Sequence, residues 1–84
     1  MRVLMIVPAY NEQDNIVETV NKICSVKNII RGAEVDYIVI NDGSTDNTQK
    51  VCESAGIKCL KLMQNLGIGG AVQTGYKYAY LCGY

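Results

Sequence analysis

The sequence predicts a three-layer α/β domain built on a mostly parallel sheet, in the order β-α-β-α-β-α. Three observations predict it. Unbroken apolar runs rich in β-branched residues, at 3–7 and 37–40, read as strands covered on both faces. The stretches between them repeat apolar residues at helical spacing. Polar and glycine-containing turns fall between these segments at regular intervals, with no repeat, linker or low-complexity tract.

Each element follows in turn. Val3-Leu4-Met5-Ile6-Val7 forms the first strand, and Pro8 is expected to end it. Asn11 is placed to cap the first helix, with Asp14 near the free N–H groups and the positive end of the dipole. Ile16, Val17, Val20, Ile23 and Cys24 make its apolar stripe, and Gly32 lies in the connection that follows. Val35 to Ile40 is the second strand. Asn41-Asp42-Gly43-Ser44 is a sharp turn, after which Ser44 or Thr45 is expected to cap a second helix. Val51, Cys52 and Ala55 form the apolar side of that helix, and Gly56 stands where a left-handed cap belongs. Ile57 to Leu62 reads as a third strand, interrupted by Lys58 and Lys61. Asn65-Leu66-Gly67 turns the chain into a third helix, with Val72, Gly75, Ala79 and Cys82 along one face.

Composition bounds the function. The chain has 84 residues, enough for one small domain that buries about 60% of its unfolded surface. Apolar residues make up 49% and charged residues 19%, which excludes a disordered chain. Eight basic residues balance eight acidic ones, so there is no electrostatic footprint for nucleic acid or an anionic membrane. The absence of His removes the usual acid–base and zinc-ligating side chain. Cys24, Cys52, Cys59 and Cys82 are widely spaced, with no Cys-x-x-Cys. They read as reduced core thiols of a cytoplasmic protein. The apolar run after Met1-Arg2 is too short for a signal core or a membrane span.

Open parallel sheets hold their ligands beyond the carboxyl ends of the strands. Both polar clusters of this chain, residues 8–12 and 41–46, fall at such ends. Val7-Pro8-Ala9-Tyr10-Asn11-Glu12 resembles the opening motif of the family-two glycosyltransferases, which have the Rossmann-like GT-A fold. The stretch from Val39 through Asn41-Asp42-Gly43-Ser44-Thr45-Asp46 to Thr48 resembles their second motif. Asn65-Leu66-Gly67-Ile68-Gly69-Gly70-Ala71, followed by Thr74-Gly75-Tyr76, is similar to a third segment. That segment is familiar from the branch whose acceptor is a polyprenyl or dolichyl phosphate. The resemblance spans essentially the whole chain. It implies a nucleotide-sugar site built from Pro8, Ala9, Tyr10, Glu12, Ile40, Asp42, Ser44, Gly69 and Gly70.

The chemistry of these residues supports that site. Pro8 is a rigid stop without an N–H, and Tyr10 offers a ring to wall a base. Glu12 and Asp42 are acceptor-only carboxylates suited to base N–H and ribose O–H groups. Gly43 permits the turn that leaves Asp42 facing the cleft. Plainer readings stand beside these. Glu12 also fits a solvated carboxylate in a first helical turn, and Asp42 also fits turn chemistry alone. Asp46 and Asn47 read as helix-start residues, and the Tyr76, Tyr80, Tyr84 stripe as packing or interface. Gly69 and Gly70 suit either an anion at a helix start or close helix–sheet packing. A dinucleotide fingerprint fails, because its last glycine would fall at Val72 and the loop follows the third strand.

The resemblance also implies what lies elsewhere. The family neutralises the leaving diphosphate with Mg or Mn held by an Asp-x-Asp motif, and no two of the four Asp here make one. The motif is expected beyond Tyr84, with no metal bound and no catalytic residue supplied by this chain. Residues 1–84 are thus expected to be the N-terminal nucleotide-sugar-binding part of a longer, inverting hexosyltransferase, inactive alone. The donor would be UDP- or GDP-linked, and the acceptor a lipid phosphate or glycan at the cytoplasmic face of a membrane. An unpaired third strand is expected to favour self-association. The alternative class is a non-catalytic small α/β nucleotide- or flavin-binding or regulatory module; its receiver-like form wants a paired carboxylate, which Glu12 lacks.

Overall fold

The computed structural model describes residues 2–84, except for the side chain of Asn28. Its elements are β1 (Arg2–Ala9), α1 (Ile16–Ile29), β2 (Glu34–Asn41), α2 (Thr48–Ala55), β3 (Cys59–Lys61) and α3 (Gly67–Leu81). The sheet is parallel, in the order β1-β2-β3. Val3 lies opposite Val35 and Pro8 opposite Ile40, while Val39 lies opposite Cys59.

Strand side chains alternate between two faces, and this alternation builds two cores. Tyr37 and Val39 of β2 join Ala9, Ile16, Val20 and Cys52, so α1 and α2 cover one face. Ile38 and Ile40 join Ala71, with Leu4, Ile6, Leu60 and Tyr78 packed around them, so α3 covers the other. This is the expected three-layer α/β arrangement. β2 is central, and the chain is buried from Tyr37 to the end of the strand and on through Asp42.

Several boundaries differ from expectation. Pro8 lies inside β1 rather than ending it. β1 is an edge strand, where the missing N–H of a proline is tolerated. β3 is only 3 residues long, so the extensive open edge belongs to the 8-residue β1 and not to the third strand. α1 begins at Ile16, and Asn11 does not cap it. α2 begins at Thr48, where Asp46 Oδ1 accepts the Thr48 amide at 2.9 Å; Ser44 and Thr45 do not cap it. Gly56 closes α2 at φ 69, as expected.

The buried face of α3 is also rotated from the one expected. Ala71 and Gly75 are buried and Tyr78 packs on the sheet, whereas Cys82 is exposed. Close approach sets this rotation, because a Cβ on Gly75 would meet the Ile6 side chain. Of the four free thiols, only Cys52 is fully buried. Tyr76 and Tyr80 are exposed and pack on nothing extensive. Tyr84 instead donates its hydroxyl to Asp36 Oδ2 at 2.8 Å, with Arg2 over its ring at 4.4 Å.

Candidate functional site

A cleft of about 170 Å³ opens at the carboxyl ends of β1 and β2, lined by Pro8, Ala9, Tyr10, Glu12, Asp42 and Ile68. The parallel register makes this juxtaposition inevitable. With Ala9 opposite Asn41, the residues that follow the two strands emerge side by side. The Asp42 amide donates to the Ala9 carbonyl at 2.8 Å, fastening the second loop to the end of β1.

Asp42 is only 4% exposed, yet it takes part in none of the ion pairs among the described residues. Its Oδ1 accepts the Leu66 amide at 2.7 Å, at the start of α3. Its other carboxylate oxygen accepts no hydrogen bond from the described residues. The Asp42 carbonyl is held by Asn65 Nδ2 at 3.3 Å, and Asn65 Oδ1 accepts the Gly67 amide. Gly43, at φ 66, lets the turn press against the backbone of Gln64 and Asn65, where any Cβ would collide. One carboxylate is therefore fixed at the positive end of α3 with an acceptor to spare.

Glu12 is half-buried on the opposite wall. Its amide donates to Thr48 Oγ1 at 2.9 Å, and its carbonyl accepts from Asn15 and Ile16, leaving the side chain to the cleft. The Tyr10 ring is 45% exposed beside it.

The remaining residues of the proposed set are placed differently. Ile40 is wholly buried in the α3-side core, opposite Pro8 on the neighbouring strand, and does not line the cleft. Ser44 accepts the Asn11 amide at 3.0 Å and donates to Asn41 Oδ1, so it is engaged within the loops. Gly69 faces open space, and a Cβ on Gly70 would meet Leu66; neither lines the cleft. Ile68 lines it and was not anticipated. No sequence signal marks it, because its place depends on how α3 docks.

Asn11 also has a role that sequence reasoning missed. It is the one non-glycine residue in the left-handed region among the described residues, at φ 53. Asn tolerates that region better than other side chains, so its position between a strand and a helix was a usable signal. Asp46 and Asn47 behave as helix-start residues, as read. Burial raises the Asp46 carboxyl, but hydrogen bonds from Thr48 and the Gln13 amide outweigh it and hold the group below the usual value.

Two larger hollows lie elsewhere. One of about 460 Å³ runs between α1 and α2, and one of about 330 Å³ sits at the amino ends of the strands beside Arg2, Asp36, Lys58 and Tyr84. Neither gathers the strand-end residues, and open parallel sheets bind ligands at the other end. The small cleft is the better candidate.

A parallel, Rossmann-like α/β sheet with a cleft beyond the carboxyl ends of its strands places that cleft where open sheets of this class hold their ligands. Residues 5–80 match the family described as Glycosyl transferase family 2, and the chain belongs to that family. It is 40% identical over 85 residues to a dolichyl-phosphate beta-glucosyltransferase of Dictyostelium discoideum, covering 84% of this chain and 25% of that protein. It is 30% identical over 83 residues to a dolichol-phosphate mannosyltransferase of Pyrococcus furiosus, covering 94% of this chain and 23% of the relative. Among solved structures it resembles a Pyrobaculum calidifontis mannosyltransferase in complex with GDP-Man and Mn²⁺. That match has a TM-score of 0.80 and 25% identity, covering 93% of this chain and 24% of the other. The chain thus spans about a quarter of the length of each of these proteins.

The Mn²⁺ of that solved neighbour raises the question of a metal here. Among the described residues no three His, Cys, Asp or Glu side chains converge on one position. The described residues therefore supply no donor set that fits a cation centre. No helix among the described residues is long and apolar enough to cross a membrane.

Proposed function

We propose that residues 1–84 form the donor-nucleotide-binding part of an inverting, nucleotide-sugar-dependent glycosyltransferase, with a polyprenyl phosphate or glycan as acceptor. One observation carries this reading: the buried Asp42 carboxylate keeps an oxygen that accepts no hydrogen bond among the described residues, and Asp42 and Glu12 line the same cleft. Two such acceptors, walled by the Tyr10 ring and the flat side of Pro8, suit the N–H edge of a base and the hydroxyls of a ribose. Family membership and the nucleotide-sugar complex of the solved neighbour support the same ligand class.

In the parent enzyme, an acceptor oxygen forms the new bond at the anomeric carbon as the bond to the nucleoside diphosphate breaks, inverting that carbon. A phosphate acceptor is already anionic at neutral pH and needs no strong general base. Binding and orienting the nucleoside is the share of the work given to Glu12, Asp42, Tyr10 and Pro8. A lipid-phosphate acceptor would place the parent at the cytoplasmic face of a membrane.

Calorimetry with UDP, GDP and FMN tests the reading. Binding of UDP or GDP, without FMN, is the expected result. FMN binding in the absence of both nucleotides would favour a flavin module and overturn the proposal. Incubation with labelled UDP- and GDP-sugars plus Mn²⁺ should yield no transfer by the 84-residue chain, and measurable transfer would refute its standing as the donor-binding part alone.

A further inference from the structure

The loop after β1 and the loop after β2 carry the two walls of the cleft, yet no backbone–backbone hydrogen bond joins residues 10–13 to residues 44–48 among the described residues. Side chains make the connection. Asn11 Oδ1 accepts from three donors, the Thr45 amide at 2.8 Å, the Thr45 hydroxyl at 3.3 Å and the Asp46 amide at 3.3 Å. The Asn11 amide donates to Ser44 Oγ at 3.0 Å. Further along, the Gln13 amide donates to Asp46 Oδ2 at 3.3 Å, and Gln13 Oε1 accepts the Asn47 amide at 2.9 Å. Asn11 and Gln13 each grip the second loop with both side chain and main chain, and of the two only Asn11 stands directly between two residues that line the cleft.

Asn11 stands between Tyr10 and Glu12, both of which line the cleft, while Asn11 itself does not. Its left-handed backbone, at φ 53, turns its side chain onto the other loop while its two neighbours face the cleft. From this juxtaposition we propose that Asn11 is a positioning residue for the donor cleft: it latches the Tyr10–Glu12 wall to the loop that carries Asp42, without touching the nucleotide. The inference rests on the nucleoside-binding reading above and adds the group that sets the spacing of its two carboxylates. Mobile walls would have to be ordered at each binding event, and that ordering weakens affinity.

Three substitutions, two of them also combined, separate the latch from backbone strain. Asn11→Gly relaxes the left-handed position but removes the acceptor, so folding is kept while the latch is lost. Asn11→Asp keeps both the acceptor and the tolerance of φ > 0, and serves as the conservative rescue. Glu12→Gln, alone and combined with Asn11→Gly, reports whether Asn11 acts through Glu12.

Calorimetry with UDP and GDP is run on the full 84-residue chain, at a temperature where thermal melts show each variant folded. Asn11→Gly should weaken nucleotide binding at least tenfold, and Asn11→Asp should stay within about threefold of the parent chain. The effect of Glu12→Gln should shrink several-fold in the Asn11→Gly background. Equal affinity of the parent chain and Asn11→Gly, or full additivity with Glu12→Gln, overturns the positioning role while leaving the donor site intact. A parent chain that binds neither nucleotide overturns the donor site itself, and this role with it.

Discussion

The Asp42 carboxylate accepts the backbone amide of Leu66 at 2.7 Å, joining the turn after β2 to the first residue before α3. One oxygen thereby satisfies a free N–H at a helix start, and the helix dipole favours the negative charge held there. The same residue ties the fold together through one oxygen and also lines the cleft.

Replacing Asp42 should separate those two duties. Asp42→Asn keeps an acceptor for Leu66 and loses only the charge, costing about 0.5 kcal/mol of stability. Asp42→Ala leaves the amide without its partner and should cost about 1–2 kcal/mol. Both should weaken UDP or GDP binding at least tenfold. Urea denaturation and calorimetry on the same samples measure the two effects, and equal stability of the two variants would contradict the role of the Leu66 contact.

Two glycines test the closeness of the turn. Gly43 and Gly56 both have left-handed backbones, at φ 66 and φ 69. Gly56 has open space where a Cβ would stand, so Gly56→Ala should cost about 1 kcal/mol. At Gly43 the added carbon would strike the Gln64–Asn65 backbone, which cannot move aside cheaply. Gly43→Ala should therefore cost about 3 kcal/mol or more and disturb nucleotide binding. Denaturation midpoints of the two variants decide the matter.

The amino ends of the strands carry a pH-sensitive contact. The hydrogen bond from Lys58, with help from the Tyr84 hydroxyl and the Tyr37 amide, holds the Asp36 carboxyl at about 2. A carboxyl lowered on folding stabilises the protein above its unfolded value near 3.8, and the benefit fades as pH falls through about 2. The pair is partly exposed, so solvent screening limits the effect to about 1 kcal/mol. Asp36→Asn should flatten the stability profile between roughly pH 5 and 2. Arg2 over Tyr84 and Glu34 beside Arg2 complete the charged surroundings, and denaturation at several pH values reads the change.

The four thiols should react in order of exposure. Cys82 is exposed, Cys24 and Cys59 are partly covered, and Cys52 is fully buried. Burial pushes the Cys59 thiol up to about 12 and raises Cys52 as well, which suppresses the reactive thiolate at pH 8. Titration with a disulfide reagent should label Cys82 first, and Cys52 only on unfolding. Rapid labelling of Cys59 in the folded chain would contradict its placement against α2.

The open edge of β1 offers unpaired backbone groups along eight residues. Such an edge templates pairing with another strand. The chain should therefore associate with itself across the micromolar to millimolar range, as sedimentation velocity would show. A sharp monomer boundary at every concentration would contradict this.

Element order was readable from the sequence because its signals are local. Strand alternation and helical spacing follow from backbone geometry, as do the punctuation of Gly56 and the polar turns after residues 8 and 41. The same local order put Tyr10, Glu12 and Asp42 at strand ends before any packing was known. Boundaries were less readable. Pro8 stays in β1 because β1 is an edge, and α1 starts late because Asn11 is drawn to the other loop.

From the sequence alone came the layered α/β architecture and the rim on which the two carboxylates stand, since each depends on residues only a few positions apart. Tertiary structure alone decided that Ile68 joins the cleft, that Ile40 and Ser44 face away from it, and that Asn11 ties the loops together. Those outcomes depend on contacts between residues more than thirty positions apart for Asn11, and on the docking of α3 for Ile68. No periodicity encodes such contacts; they form only when the parallel register brings two strand ends to the same edge.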